Sequence, residues 1–368
     1  MATPLTIQKT MLLKICLLLF SVTTIATKDA ASETVEPIFI FGDSILDVGT
    51  NNYVKNCKAQ VNRPYYGVDY PHSIATGRFS NGLNPADTVV ALLGGYEESP
   101  PPFLALLAHS TNLTGDLLHG VNFASGGAAL VKGIGKQIVG DVISLEEQIQ
   151  QFATVQGNIT ALLGESKGQL LIQGSMYIIC VGSNDIMNYV FSHPTTPEVF
   201  IANITAIYAI HLKNLYDLGA RKFGLMSVPP IGCCPVARAF SGGDCAKELN
   251  DVASAFYTPL ESLLKNLSST LEGFKYSLGN SYNMSMSVIE NPPPGFKDVK
   301  TACCGNNPLA GINDCKEQRY LCPKRDDHLF WDAFHPSEAA SKLGARVLVF
   351  GEDPDFVTPI NFSTLRKA

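Results

Sequence analysis

Charge is scarce in this sequence. Charged residues make up 16% of 368 and hydrophobic ones 46%, with a net charge of −6 at pH 7 and a pI near 5.7. A chain this apolar can bury a large core, which excludes a disordered protein. No Lys/Arg run is present. Without a basic patch to meet phosphate backbones, nucleic acid is excluded as a partner. Cys-x-x-Cys and His-x-x-x-His frames are missing, which argues against a zinc site. Gly133-Ile134-Gly135 lacks the third glycine and the strand-then-helix setting of the dinucleotide fingerprint, so no nucleotide loop is read there. The esterase elbow Gly-x-Ser-x-Gly is absent too. No tandem repeat and no long linker divides the chain, and its length suits one large α/β domain. Thr364-Leu365-Arg366-Lys367-Ala368 carries neither an ER-retention signal nor a lipid-anchor tail.

The first residues have the layout of a secretory signal peptide. Lys9 and Lys14 lead into an apolar run from Ile15 to Ile25, and Thr24-Ile25-Ala26 supplies small residues for a cut after Ala26. The run is too short to span a bilayer comfortably. Two further features agree with export. Asn-x-Ser/Thr sequons stand at Asn112, Asn158, Asn203, Asn266, Asn283 and Asn361, and glycosylated ones must be exposed. Of ten cysteines, Cys16 lies in the leader. Eight of the rest (Cys57, Cys233, Cys234, Cys245, Cys303, Cys304, Cys315 and Cys322) fall in loop-like stretches, where an oxidising compartment favours disulfides. Cys180, inside the apolar run Tyr177-Ile178-Ile179-Cys180-Val181, is the expected free thiol.

Strand-like runs alternate with helical ones. Strands are expected at 37–41, 176–181, 222–228 and 274–278. Helices are expected at 84–93, 144–163, 197–218, 245–271 and 337–349. Ser144 and Glu147 form a capping-box pattern. This alternation implies βαβ units and a parallel sheet with helices on both faces. Active sites then form outside the carboxyl ends of the strands.

The first strand ends in Phe41-Gly42-Asp43-Ser44-Ile45-Leu46-Asp47. Ser44 could be presented there as a nucleophile, although Ser44 or Asp43 would equally suit a helix N-cap. Val121 to Gly127 places a glycine pair on a loop, and glycine lets an N–H approach a ligand closely. The strand at 177–181 ends in Gly182-Ser183-Asn184-Asp185, where an Asn amide can donate into the cleft. Taken singly, each is ordinary turn chemistry. A catalytic serine also needs a base, commonly His, oriented by a third group. Asp332-x-x-His335 offers one, but Asp69-x-x-His72 and Asp116-x-x-His119 share the frame. Position favours His335, which follows the last loop and precedes Pro336 and the final helix.

Together these residues resemble the blocks of the GDSL esterase/lipase family, in its plant branch within the SGNH hydrolases. Phe41 to Asn52 resembles the first block, Asn122 to Gly127 the second, Gly182 to Asp185 the third, and Asp332 to His335 the fifth. Arg78-Phe79-Ser80-Asn81-Gly82 and Phe330-Trp331-Asp332 with His335-Pro336 are similar as well, and Ile45 stands where the family usually has Leu. The resemblance implies a three-layer α/β/α domain over 35–352, with a central, mainly parallel sheet of flavodoxin-like order. Residues 1–26 precede it as a leader, and 353–368 follow as a tail. The resemblance further implies Ser44 as nucleophile, His335 as base and Asp332 as its partner. The Ser44 N–H, the Gly127 N–H and the Asn184 amide would form the oxyanion hole. The expected activity is hydrolysis of lipid or other acyl esters through an acyl-enzyme, with no cofactor or metal. An acyltransferase on the same site, or a binding or defence protein retaining the fold, are the alternatives. Cysteines 233, 245, 303 or 304, 315 and 322 fall where plant relatives resemble this chain, and a disulfide-tied segment before Trp331 would steady the His335 loop. Pro100 to Leu104 could line an acyl pocket, but reads first as surface and core packing.

Overall fold

The computed structural model describes residues 36–192 and 194–368. The leader expected at 1–26 lies outside these residues. Five parallel strands build the centre of one sheet: β1 Ile38–Gly42, β2 Gly120–Asn122, β3 Met176–Cys180, β4 Lys222–Met226 and β5 Lys275–Gly279. Their spatial order is 2-1-3-4-5, the flavodoxin-like order, and it switches direction at β1. β1 pairs in register with β3 from Ile38 opposite Met176 to Gly42 opposite Cys180.

Each strand is buried on both faces, so its side chains alternate between two cores. Phe39, Phe41, Tyr177, Ile179, Phe223 and Leu225 face one core, while Ile38, Ile40, Met176, Ile178 and Met226 face the other. The helices divide accordingly. α1 (Pro85–Leu93) covers the second face, and α2 (Leu145–Leu163) lays Ile149, Phe152 and Val155 on the first. α3 (Ser183–Ser192), α4 (Pro197–Asp217) and α5 (Lys247–Thr270) share that first face. α6 (Ser281–Glu290) follows β5, and α7 (Glu338–Phe350) packs beside α1 on the second face. No helix among the described residues is long and apolar enough to cross a membrane.

The expected helix starts fall where capping chemistry puts them. Ser144 accepts from the Glu147 N–H while Glu147 reaches back, and Asn84 and Asp87 do the same for α1. Pro100–Leu104 turns out to be packing: Phe103 is buried, with its ring 5.6 Å from that of Phe123.

Residues 353–368 depart from the tail reading. Val357–Thr358 forms β8, which pairs antiparallel with β5 at the sheet edge, and Phe362–Lys367 forms α8 on the second face. Phe362 and Leu365 are fully buried. A Cβ at Gly224 in β4 would lie 3.1 Å from the Phe362 ring, so the bare strand position makes room for that side chain. The segment is short, and its three buried apolar side chains, Val357, Phe362 and Leu365, are divided between a two-residue strand and one short helix, too few in each to show as a periodic pattern.

Outside the sheet, β6 (Asp298–Ala302) and β7 (His328–Phe330) pair in parallel and carry the chain toward Trp331. Disulfides join Cys233–Cys245, Cys303–Cys322 and Cys304–Cys315. Cys180 is a buried thiol, as read from its strand. Cys57 and Cys234, expected among the paired loop cysteines, are buried thiols as well. For Cys234 the reason is local, since its neighbour Cys233 takes Cys245.

Candidate active site

The site forms at the carboxyl ends of β1, β2 and β3, around the switch in strand order. β1 stops at Gly42, whose φ of +145° and close approach to the Cys180 carbonyl exclude any side chain. A single helical turn follows, with the Leu46 and Asp47 N–H groups donating to the Asp43 carbonyl at 3.1 Å. The Asp43 side chain accepts from the Ile45 N–H at 3.0 Å. Capping therefore falls to Asp43, and the Ser44 hydroxyl is left free.

That hydroxyl meets the imidazole of His335, with Oγ 2.8 Å from Nε2. The far nitrogen, Nδ1, lies 2.8 Å from Asp332 Oδ1 and 2.9 Å from Oδ2. An ionised carboxylate only accepts, so Nδ1 carries the proton and Nε2 presents its lone pair to Ser44. The three-residue spacing has a local cause. Asp332 Oδ1 also accepts the Phe334 and His335 N–H groups at 2.8 Å, an Asx-type turn that curls the chain back on itself. Asp332 and His335 are buried and Ser44 is half-buried.

Tyr66 completes the line. Its hydroxyl donates to Asp332 Oδ2 at 2.7 Å from a fully buried ring. Burial pushes the Asp332 carboxyl up. The charge of His335 and its hydrogen bond, then the Phe334 N–H and the Tyr66 hydroxyl, outweigh this and hold the carboxyl below the ordinary carboxylate range. Burial, then the facing Asp332 charge, raises the Tyr66 phenol well above its usual value, so it stays a donor. Phe79 covers the imidazole, ring centroids 4.7 Å apart.

The backbone groups facing this line are held by buried carboxylates and amides. Asp47 Oδ1 accepts from the Gly49 and Thr50 N–H groups at 2.7 Å, and its Oδ2 from the Gly126 N–H at 2.8 Å. The Gly126 carbonyl in turn accepts from Asn51 Nδ2 at 2.9 Å. Both polar groups of Gly126 are thus engaged. Among the described residues the N–H groups of Ser44 and Gly127 have no protein acceptor. Gly127 has a φ of +90°, a conformation that suits glycine. Asn184, in the first turn of α3, donates from Nδ2 to the Ala128 carbonyl at 2.8 Å and so lies against the Ala128–Ala129 peptide, one residue beyond Gly127. Asp185 accepts the Leu130 and Val131 N–H groups at 2.8 and 2.9 Å, fastening the same loop. Ser44, Gly127 and Asn184 are half-buried, whereas Asp43, Asp47, Asp185 and Asp332 behind them are buried.

Burial dominates three of those carboxyls. It pushes Asp43 and Asp185 up to about 7 and Asp47 up to about 6, against the backbone N–H groups each accepts. One oxygen of Asp43, Oδ2, is buried without a partner among the described residues.

The rival Asp-x-x-His frames do not assemble. Asp69 binds Arg325, with 2.7 Å between Oδ1 and Nη2, and His72 is exposed. Asp116 accepts from Ser110, while exposed His119 turns Nδ1 to the Gly115 carbonyl at 3.1 Å. The loop carrying His335 is tied from behind. The Cys303 and Cys304 N–H groups donate to the Phe330 and Trp331 carbonyls, and both cysteines are in disulfides. Among the described residues one cluster has metal-ligand spacing, Cys303, Cys322 and His328, and its two sulfurs are bonded to each other. Sequence reasoning gave no role to Tyr66, Phe79, Asp47 or Asn51. The last three lie within motifs already singled out; Tyr66 had no signal of its own, since 266 residues separate it from Asp332.

Comparison with known proteins follows this geometry. The profile of GDSL-like lipases/acylhydrolases matches residues 38–348. A GDSL esterase/lipase of Arabidopsis thaliana is 33% identical over 348 residues, covering 91% of this chain and 92% of its own. A second, LTL1 of the same plant, is 34% identical over 337 residues, covering 89% of each chain. Among solved structures, a catalytic mutant of the acetylxylan esterase Axe2 from Geobacillus stearothermophilus aligns with a TM-score of 0.38 at 14% identity, covering 85% of this chain and 92% of that one.

Proposed function

The chain belongs to the GDSL-like lipase/acylhydrolase family, and we propose that it is a secreted carboxylic ester hydrolase working through an acyl-enzyme on Ser44. One observation carries the reading: the line from Asp332 through His335 to Ser44, with 2.8 Å at each hydrogen bond.

The chemistry follows from that line. Ser44 Oγ attacks the ester carbonyl as His335 Nε2 takes its proton, and Asp332 stabilises the imidazolium that forms. Charge developing on the carbonyl oxygen is received by the Ser44 N–H, the Gly127 N–H and the second Asn184 N–H. Removing one such donor typically costs about 3 kcal/mol of transition-state stabilisation. His335 returns its proton to the departing alcohol, and the acyl group remains on Ser44. Water, deprotonated by His335, then attacks the acyl-enzyme and releases the acid. The small-molecule substrate is a carboxylic ester, and no cofactor takes part in these steps.

Secretion is supported by the leader expected at 1–26 and by three disulfides, which persist in oxidising compartments. Five sequon residues, Asn112, Asn158, Asn203, Asn266 and Asn283, are exposed, as glycosylation requires.

The test is turnover of p-nitrophenyl esters by secreted protein, beside Ser44→Ala, His335→Ala, His72→Ala and His119→Ala. Loss confined to the first two variants is the expected result. Folded protein inert toward every ester, with Ser44 unlabelled by a serine-reactive phosphonate, would overturn it.

A further inference from the structure

An apolar cavity of about 350 Å³ runs between α6 and α7 on the second face of the sheet. We propose that it holds the tail of the acyl group, and that the preferred substrate is an ester of an unbranched medium-chain acid. This rests on the hydrolase reading and adds the substrate class.

Position is the first support. The lining includes Ile45, Phe334 and Pro336, the chain neighbours of Ser44 and His335. It also includes Met284 of α6 and Leu348 of α7. An acyl group on Ser44 would enter the cavity past Ile45, Phe334 and Pro336, since Ser44 and His335 themselves do not line it. The Gly127 and Asn184 donors take the carbonyl oxygen.

Space is the second support. Cores are filled to crystal-like density, so an apolar gap this large beside reactive groups calls for an occupant. α7 keeps it open with Gly344, where an added Cβ would meet nothing within 4 Å. Glycine inside a helix is unfavourable relative to alanine, and no turn or close backbone approach requires it at this position. An apolar cavity of about 150 Å³ accepts a benzene ring. By that scale the 350 Å³ here suits roughly eight to fourteen carbons. Chemistry is the third support. Met226, Met284, Leu343 and Leu348 are flexible apolar walls that adapt to an alkyl chain. Among the described residues no charged side chain lines the cavity.

Each methylene moved from water into the channel is expected to raise kcat/KM roughly fourfold. The experiment measures kcat/KM for p-nitrophenyl acetate, butyrate, octanoate, decanoate and palmitate. Wild type is expected to rise to octanoate or decanoate and then level or fall. Gly344→Leu, which points a helix-favouring side chain into the gap, is expected to lower the decanoate-to-acetate ratio at least tenfold. Ala340→Val, a smaller change on the same wall, is expected to lower it less. In parallel, decanoate displaces a fluorescent fatty acid from Ser44→Ala protein, and from Ser44→Ala/Gly344→Leu it does so at least tenfold less tightly. Ester turnover with a flat chain-length profile, or a ratio unchanged in both variants, overturns the acyl pocket and leaves the hydrolase reading standing. Decanoate binding that Gly344→Leu abolishes, in a protein that turns over no ester, keeps the pocket and overturns the hydrolase.

Discussion

Tyr66→Phe separates the hydrogen bond behind the catalytic line from its packing. Phenylalanine keeps the ring, which packs edge-on against Phe79 and Trp331 at centroid distances of 6.4 and 6.1 Å. No cavity opens, so the loss is confined to the hydroxyl, with its 2.7 Å bond to Asp332 Oδ2 and its 3.5 Å contact with the Ile312 carbonyl. A bond to a charged group is worth about 1.5–3 kcal/mol. Asp332 keeps the Phe334 and His335 N–H groups on Oδ1, so its place is weakened rather than lost. Urea unfolding at pH 7, where Asp332 is ionised, is expected to show that destabilisation. The carboxyl sits below its unfolded value of 3.8, so its contribution is full above that pH and fades as pH falls through the folded value. Activity is expected to fall about tenfold in kcat with KM unchanged, about 1.4 kcal/mol of barrier. Asp332→Asn is expected to lose about 10⁴-fold through the wrong imidazole tautomer. The double variant isolates the pair, with a coupling energy of about 1–2 kcal/mol expected. A Tyr66→Phe protein less than about 0.5 kcal/mol destabilised, with no coupling to Asp332→Asn, would refute the assignment of Tyr66 as the positioning partner.

Four further outcomes are expected. Asn184→Ala should lose about 10²- to 10³-fold in kcat with KM little changed, read on a short ester; an equal loss through KM alone would remove Asn184 from the oxyanion site. Asp43 and Asp185 are pushed to about 7 and Asp47 to about 6 against 3.8. The folded state thus holds protons that the unfolded chain releases, and stability present below about pH 4 declines as pH rises to about 7. Asp43→Asn is expected to shrink the drop in urea midpoint between pH 5 and pH 8, and an unchanged drop would count against that cause. Cys304→Ser with Cys315→Ser opens a short covalent loop and is expected to cost about 2–3 kcal/mol, with activity lost at a lower temperature than wild type loses it. Asn361 is half-buried, caps α8 by accepting from the Thr364 N–H, and donates to the Gly351 carbonyl. Mass analysis of the secreted protein is expected to find it unglycosylated.

The parallel sheet was legible because each strand is buried on both sides and reads as an unbroken apolar run such as Ile38 to Phe41. Helix starts were legible for a different reason: the capping residues Asn84 and Ser144 act within their own turn, so local sequence suffices. The site was legible only in part. Ser44, Asn184 and His335 each follow or precede a recognisable element. Spacing alone could not choose His335 over His72 and His119. That choice is made by tertiary placement, which gives Asp69 to Arg325 and Asp116 to Ser110 before either can orient a histidine. Gly126 and Gly127 are indistinguishable in sequence, and the Asp47 carboxylate distinguishes them by taking one N–H. Tyr66, the α8 anchors and the cavity that Ile45 helps to line depend on contacts between distant segments, which no local pattern encodes. Ser44, Gly127 and Asn184 are therefore the shallow residues, while the reasons they stand where they do lie one layer deeper, in buried carboxylates that accept backbone N–H groups. A carboxylate buried in this way lowers stability at neutral pH, but it fastens the loops of the site: Asp47 takes the Gly49, Thr50 and Gly126 amides, and Asp185 those of Leu130 and Val131.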